Sequence, residues 1–465
     1  MYWLALTLQA RNNSMDTSQV RAIIASHVSK ARIHSSHEHI GSIDSFGKNT
    51  SPWFPVDIKP ALLPSTTSLL DLLFTPYTTP QLTAMGAIYP PHNAFTEDDA
   101  FLETMETLRP IIKSNSGIGV LVCLDRGLKI LYGIGLNEAL SSSNRDLLLK
   151  LNLSIKTNYS DYFQWFSKVM EKTGTDSLLK PVHPEFFLDK SLIENAGELR
   201  FSIPIMRIDS LVGFHHDDKI LDFAGVERAA GFAIKNSSNL DEMITWFFGV
   251  CDTFEVRSLK QLQAYSRPLS VLDCTREKMS KALDTLIAAR GVGALTKYRD
   301  EALIVQNYIL RRILEEADSR SLPYQIHTGM TNLSQSNPAQ LESMIQQYRN
   351  ISFVLLHAYP FISEASYLAR TNPNVWVDTS WLVLQSPEIL QIALKEYIGM
   401  VPADRIFSSI DSISLEEYTG GIALTRSVLI DVLSEKVGSN FLDIEEALYI
   451  SERVLGGNCE QLHRL

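Results

Sequence analysis

From its middle to its end the chain alternates short apolar runs with longer amphipathic stretches, the pattern of a parallel sheet with helices outside it. The runs that predict strands are Arg32 to Ser36, Ser177 to Pro181, Leu199 to Ile208, Phe254 to Ala264, Pro323 to His327, Ile351 to His357, Asn374 to Asp378 and Arg405 to Asp411. Asp300 to Ala317, Pro338 to Tyr348, Ile362 to Thr371 and Pro387 to Ile398 read as the helices between the last strands. Eight strands in such alternation predict an α/β fold, a (β/α)8 TIM barrel.

A long excursion interrupts the alternation after the first strand. It opens as a Pro- and Ser-rich loop and turns helical around Asp98 to Leu108, Cys123 to Leu131 and Asp146 to Met170. We read residues 42–175 as a helical insertion. Barrel enzymes keep their chemistry at the carboxyl ends of the strands, so an insertion that follows a strand end is expected to cover the site as a lid. The chain then divides into an N-terminal extension and helix (1–31), the barrel with its insertion (32–450) and a C-terminal tail (451–465). Met15 followed by Asp16-Thr-Ser and an apolar run looks like a helix cap with its helix, and offers an alternative start of translation.

Composition narrows the function classes. With 42 Lys+Arg against 53 Asp+Glu the formal net charge is -11, which disfavours a grip on nucleic-acid phosphates or anionic lipid. A small-molecule substrate is the expected partner, with a homo-oligomer left open. No stretch approaches the length of a membrane-spanning helix. The opening run from Met1 lacks the positive start and cleavage site of a signal peptide. Cys123, Cys251, Cys274 and Cys459 show no CxxC spacing, as expected of reduced thiols in a cytoplasmic protein.

The candidate chemistry lies at strand ends. His37 and His39 stand in Ile33-His-Ser-Ser-His-Glu-His-Ile-Gly, His327 in Tyr324-Gln-Ile-His-Thr-Gly, His357 in Phe353-Val-Leu-Leu-His-Ala-Tyr-Pro and Asp411 in Ile406-Phe-Ser-Ser-Ile-Asp-Ser. Residues two apart on a strand project the same way, so His37 and His39 can grip one ion. Neutral imidazoles with a carboxylate suit Zn²⁺, with Mn²⁺ the other candidate, and leave positions open for water. His215-His216-Asp217-Asp218 reads as a solvated loop instead, because adjacent residues rarely converge on one ion. Asp378 orients a ligand or closes the barrel, and His27, His34, His92, His183 and His463 are read as structural. Neither a phosphate-binding glycine loop nor a G-x-S-x-G elbow is convincing; Gly291-Val-Gly-Ala is too isolated.

HxH after the first strand, His after the fifth and sixth, and Asp after the eighth resemble the amidohydrolase superfamily. The stretches Pro323-Tyr-Gln-Ile-His-Thr-Gly, Val354-Leu-Leu-His-Ala-Tyr-Pro, Glu364-Ala-Ser-Tyr-Leu-Ala and Asn374-Val-Trp-Val-Asp look like its amidohydrolase-related branch, including domains that elsewhere precede a glutamine-synthetase-like domain. The resemblance implies that His37, His39 and His327 ligate a metal, and that Asp411 is a ligand or the base. His357 would be a further ligand or the acid/base. A divalent ion there would polarise a carbonyl and bring the pKa of water towards roughly 7. Two positions depart from the family pattern, Ser35 standing for an Asp and Ile410 for a small hydroxyl residue. On the fourth strand Lys260 is a candidate carboxylated bridge, or pairs with substrate or a buried carboxylate; Tyr265 is a further substrate contact, and Arg267 is another or forms an ordinary salt bridge. The activity implied is hydrolysis of an amide-type C–N or ester bond of a small metabolite. A non-oxidative decarboxylase on the same ligands is the nearest rival, and a non-catalytic barrel the third reading.

Overall fold

The computed structural model describes residues 16–40, 67–141, 145–182, 184, 200–212, 223–290 and 295–465. His183 and His215 to Asp218 lie outside the described residues, as do Met15 and most of the Pro- and Ser-rich loop. Eight parallel strands follow one another in chain order around the sheet. They are β1 (Ile33–Ser35), β2 (Thr175–Val182), β3 (Ser202–Arg207), β4 (Leu259–Gln261), β5 (Tyr324–Thr328), β6 (Phe353–His357), β7 (Val375–Asp378) and β8 (Ile406–Phe407). The expected barrel is therefore present, in strand order and in kind.

The strands β4 and β8 are cut to less than half of what their sequences predict. Phe254 caps the helix Ser237–Thr253 and Gln263–Tyr265 turns into a 3-10 helix, which leaves only Leu259–Gln261 in the sheet at β4. At β8 the ladder ends after Phe407, and residues 408–411 run on outside it with Asp411 at φ 62°. The helix expected over Asp146 to Met170 is two, Arg145–Tyr159 and Tyr162–Thr173, broken where Asp161 accepts from the Gln164 amide as an N-cap.

No ladder pairs β8 with β1 among the described residues, and side chains do the joining. Glu38 is fully buried and accepts four hydrogen bonds: from Ser35 Oγ at 2.7 Å, and from the Ile410 amide, the Ser412 amide and Ser412 Oγ at 2.8 Å each. The His39 amide donates to the Ser412 carbonyl at 3.0 Å. Asp378 adds a second staple, accepting from Ser36 Oγ, from Ser409 Oγ at 2.6 Å and from the Ser380 amide at 2.6 Å. It thereby closes the barrel, one of the two roles open to it from sequence.

The described part of the insertion shares the barrel's hydrophobic core. Its helix Gly119–Tyr132 crosses Leu415–Gly438, the helix after β8, at two glycines. A Cβ on Gly127 would lie 1.8 Å from the Glu416 carbonyl oxygen, and one on Gly420 would lie 1.8 Å from that of Cys123. Only hydrogen side chains allow backbones so close. Beside the crossing the buried Glu416 carboxylate accepts from Tyr132 at 2.6 Å and Tyr159 at 2.7 Å. All four cysteines are free and buried, as expected.

The segment expected as a tail, 451–465, packs against the barrel. Cys459 and Leu465 meet Leu179 and Ile205, and Leu462 meets Val354, Leu356 and Phe407. Asn458 donates to the Ala403 and Ile406 carbonyls at 2.7 Å, and Arg257 donates to the carbonyls of His463 and Arg464.

Two predictions follow from this packing. Glu38→Gln sets an amide NH2 against donors at the β1–β8 seam, so denaturant unfolding is expected to show a loss of about 3 kcal/mol; an unchanged midpoint would contradict the staple. His463 is pushed down to about 4 from its usual 6.5, chiefly by burial, with its Cys459 carbonyl bond opposing. A depressed folded-state pKa stabilises above the unfolded value and is lost as pH falls. Wild type should therefore lose about 3 kcal/mol more than His463→Gln between pH 6.5 and pH 4.

Candidate metal centre

The staples that close the barrel also build the site. Ile410 and Ser412, whose amides bind Glu38, flank Asp411, so the Asp411 backbone is fixed on both sides in the left-handed region. A non-glycine residue there carries strain that its surroundings must hold. His357 and Trp381 are held likewise, at φ 67° and 65°. With Ala358 at φ 60°, four left-handed residues gather at or beyond the ends of β6, β7 and β8 among the described residues, which fits the way strain collects at functional sites.

His37 Nε2 lies 3.6 Å and His39 Nε2 3.4 Å from Asp411 Oδ1. One donor atom from each of the three residues falls within 4.8 Å of the other two. The orientation of His37 can be derived. The Gln325 amide nitrogen donates to the Ser36 carbonyl at 2.7 Å, so its Oε1 is the atom facing His37 Nδ1 at 2.8 Å. That oxygen can only accept, so Nδ1 carries the proton and Nε2 presents a lone pair. His37 Nε2 is buried and has no hydrogen-bond partner.

His357 Nδ1 donates to the Ser380 carbonyl at 3.1 Å and lies 3.7 Å from Asp411 Oδ2. His327 falls outside the three-donor group. Its ring sits 4.3 Å from that of His357 and 4.6 Å from that of Tyr265, and its Nε2 is likewise buried without a partner. Of the expected site residues, the structure thus gathers His37, His39 and Asp411, with His357, His327 and Tyr265 alongside.

Burial holds His37, His327 and His357 well below the usual imidazole pKa. The positive Lys260 works the same way on all three, with neighbouring imidazoles, His357 foremost for His327. Neutral imidazoles are the ligating form. Burial drives Asp411 well above the usual carboxylate range against the opposing pull of Lys260. Lys260 is buried on β4 with no hydrogen bond on Nζ, and is pushed down to about 7, by burial first, with Asp411 opposing. Two imidazoles, His37 with its Nε2 presenting a lone pair, and a carboxylate whose charge burial penalises form a set that fits a divalent transition ion.

Arg267 turns elsewhere. Its Nη2 binds Asn307 Oδ1 at 2.6 Å and the Ser270 carbonyl at 3.1 Å, so its partners lie on the outer helix Arg299–Arg320 and the loop beside it. A cavity of about 350 Å³, lined by Trp376, Arg405, Arg453 and Asn458 among others, touches none of the clustered histidines.

Sequence reasoning missed three residues here. Glu38 stands between the two histidines and so faces the other way. Gln325 stands two before His327 and shares its inward face, a signal that was available. Tyr77 comes from the insertion and donates to Asp411 Oδ1 at 3.2 Å, with no periodic pattern to announce it.

Comparison with known proteins bears on the family and the fold. Residues 259–407 match the amidohydrolase family model. Over 150 residues the chain is 36% identical to Protein fluG of Emericella nidulans, a match covering 31% of this chain and 17% of that protein's length. The uronate isomerase of Thermotoga maritima superposes with a TM-score of 0.71 at 13% identity, over 96% of this chain and 97% of that one. A candidate metal-dependent hydrolase of Lactobacillus casei does so with 0.64 at 15% identity, over 95% and 97%. At these identities the structural likeness is one of fold. The chain is therefore similar to the amidohydrolase family over residues 259–407, and along nearly its whole length it shares the barrel fold of these solved structures.

Proposed function

We propose that the protein is a metal-dependent hydrolase that cleaves an amide-type C–N or ester bond of a small, carboxylate-bearing metabolite. The observation that carries this reading is the convergence of His37, His39 and Asp411 donor atoms within 4.8 Å. These three would hold one divalent ion, Zn²⁺ first and Mn²⁺ second. His327, expected as a ligand from its strand-end position, would line the open side with His357. Bound there, the ion would supply Lewis acidity towards a carbonyl and make water nucleophilic at neutral pH.

The remaining steps belong to the chain. His357 and Asp411, whose Nδ1 and Oδ2 lie 3.7 Å apart, would take the proton from the attacking water and return it to the leaving group. Lys260, with no hydrogen bond of its own, would meet the substrate carboxylate, and Tyr265 beside His327 would wall the pocket. The buried setting strengthens such contacts relative to water.

Likeness to a uronate isomerase along nearly the whole chain, insertion included, favours a second reading on the same residues. Here His357 or Asp411 would move a proton between adjacent carbons of a sugar acid, with no bond to carbon, nitrogen or oxygen hydrolysed.

Elemental analysis is expected to find about one divalent ion per chain in wild type and none in a His37→Ala/His39→Ala double variant. Metal retained by the double variant would remove the assignment. Turnover of N-acyl amino acids or lactone acids would bear out hydrolysis; interconversion of aldose and ketose forms of a uronate, with no hydrolysis, would replace it by the second reading.

A further inference from the structure

Tyr77 of the insertion reaches the candidate metal centre. Tyr77 lies in the turn between Leu69–Leu73 and Thr79–Ala84. The turn is tied by its own threonines: the Thr75 amide donates to Thr78 Oγ1 at 3.0 Å, and Thr79 Oγ1 donates to the Thr75 carbonyl at 2.8 Å. The Tyr77 ring lies 5.0 Å from that of Trp381, which in turn lies 5.5 Å from that of His357. With turn and ring both held, the hydroxyl donates to Asp411 Oδ1 at 3.2 Å.

That oxygen is the one facing His37 Nε2 and His39 Nε2. A carboxylate oxygen offers two acceptor directions. Donation from Tyr77 occupies one of them and turns the other towards the imidazoles, while the Glu38 bonds fix the Asp411 backbone and leave its side-chain torsion free. We propose that Tyr77 is a positioning residue of the metal centre, holding Asp411 Oδ1 towards His37 and His39, so that the inserted subdomain completes the site. This rests on the metal-binding reading above, and it gives the insertion a task beyond covering the barrel.

The test uses Zn²⁺ and Co²⁺ alone as probes, on full-length wild type, Tyr77→Phe and Tyr89→Phe. Tyr77→Phe keeps the ring on Trp381 and removes only the hydroxyl. Tyr89→Phe is the control, removing a hydroxyl from a half-exposed ring of the same insertion that packs on Phe74 at 5.3 Å. Partners that orient ligands typically contribute about 10- to 100-fold in metal affinity. Chelator competition should therefore show Zn²⁺ bound about tenfold or more weakly by Tyr77→Phe, with a changed Co²⁺ visible spectrum and an unchanged melting temperature of the metal-free protein. Tyr89→Phe should match wild type. Equal affinity and spectrum in Tyr77→Phe and wild type would overturn the positioning role alone. An equal loss in Tyr89→Phe would also overturn it, as a general effect on the insertion. Wild type that binds neither ion would overturn the metal reading itself, and this inference with it.

Discussion

The buried carboxylate of Glu38, seconded by Asp378, holds the end of the first strand of the barrel to the segment after the last. A charge removed from water is tolerated only when its oxygens are well bonded, and Glu38 has four donors, two of them backbone amides beyond β8. Burial nevertheless raises it to about 7 against those bonds. It stands between His37 and His39, and its amide partners flank Asp411, so the contact that joins the sheet's edges also sets the distance between the donors. Fold closure and site geometry are one constraint.

The other buried acids extend the same logic. Asp378 ties β7 to the segments after β1 and β8, and its bond to the Ser380 amide reaches the residue on which His357 rests. Glu416 anchors two tyrosines of the insertion beside a glycine-to-glycine helix crossing. The insertion is thus bolted to the helix that follows β8, close to the residues that carry Asp411. This accounts for how a turn within it can deliver Tyr77 to the site.

The barrel was legible because short apolar runs alternate with amphipathic helices in the sequence, most clearly from β5 to β7, where predicted and observed strands nearly coincide. The strand-end histidines were legible because alternation along a strand fixes which way they face. The shortened β4 and β8 were not, since Phe254 and residues 408–411 are apolar or small enough to read as strand while their backbones turn away. Arg267 looked like a substrate contact because it follows a strand, yet its side chain folds outward onto Asn307. Glu38 and Tyr77 were hidden for a different reason: their roles depend on partners 372 and 334 residues distant, and no local pattern encodes such a pair.

The most direct test of the account is a crystal structure of the Zn²⁺-soaked protein with anomalous scattering recorded at the zinc edge. The account predicts one strong peak bounded by His37 Nε2, His39 Nε2 and Asp411 Oδ1, with Glu38 still bonded to the Ile410 and Ser412 amides. A peak elsewhere, or none among these three residues, would contradict it.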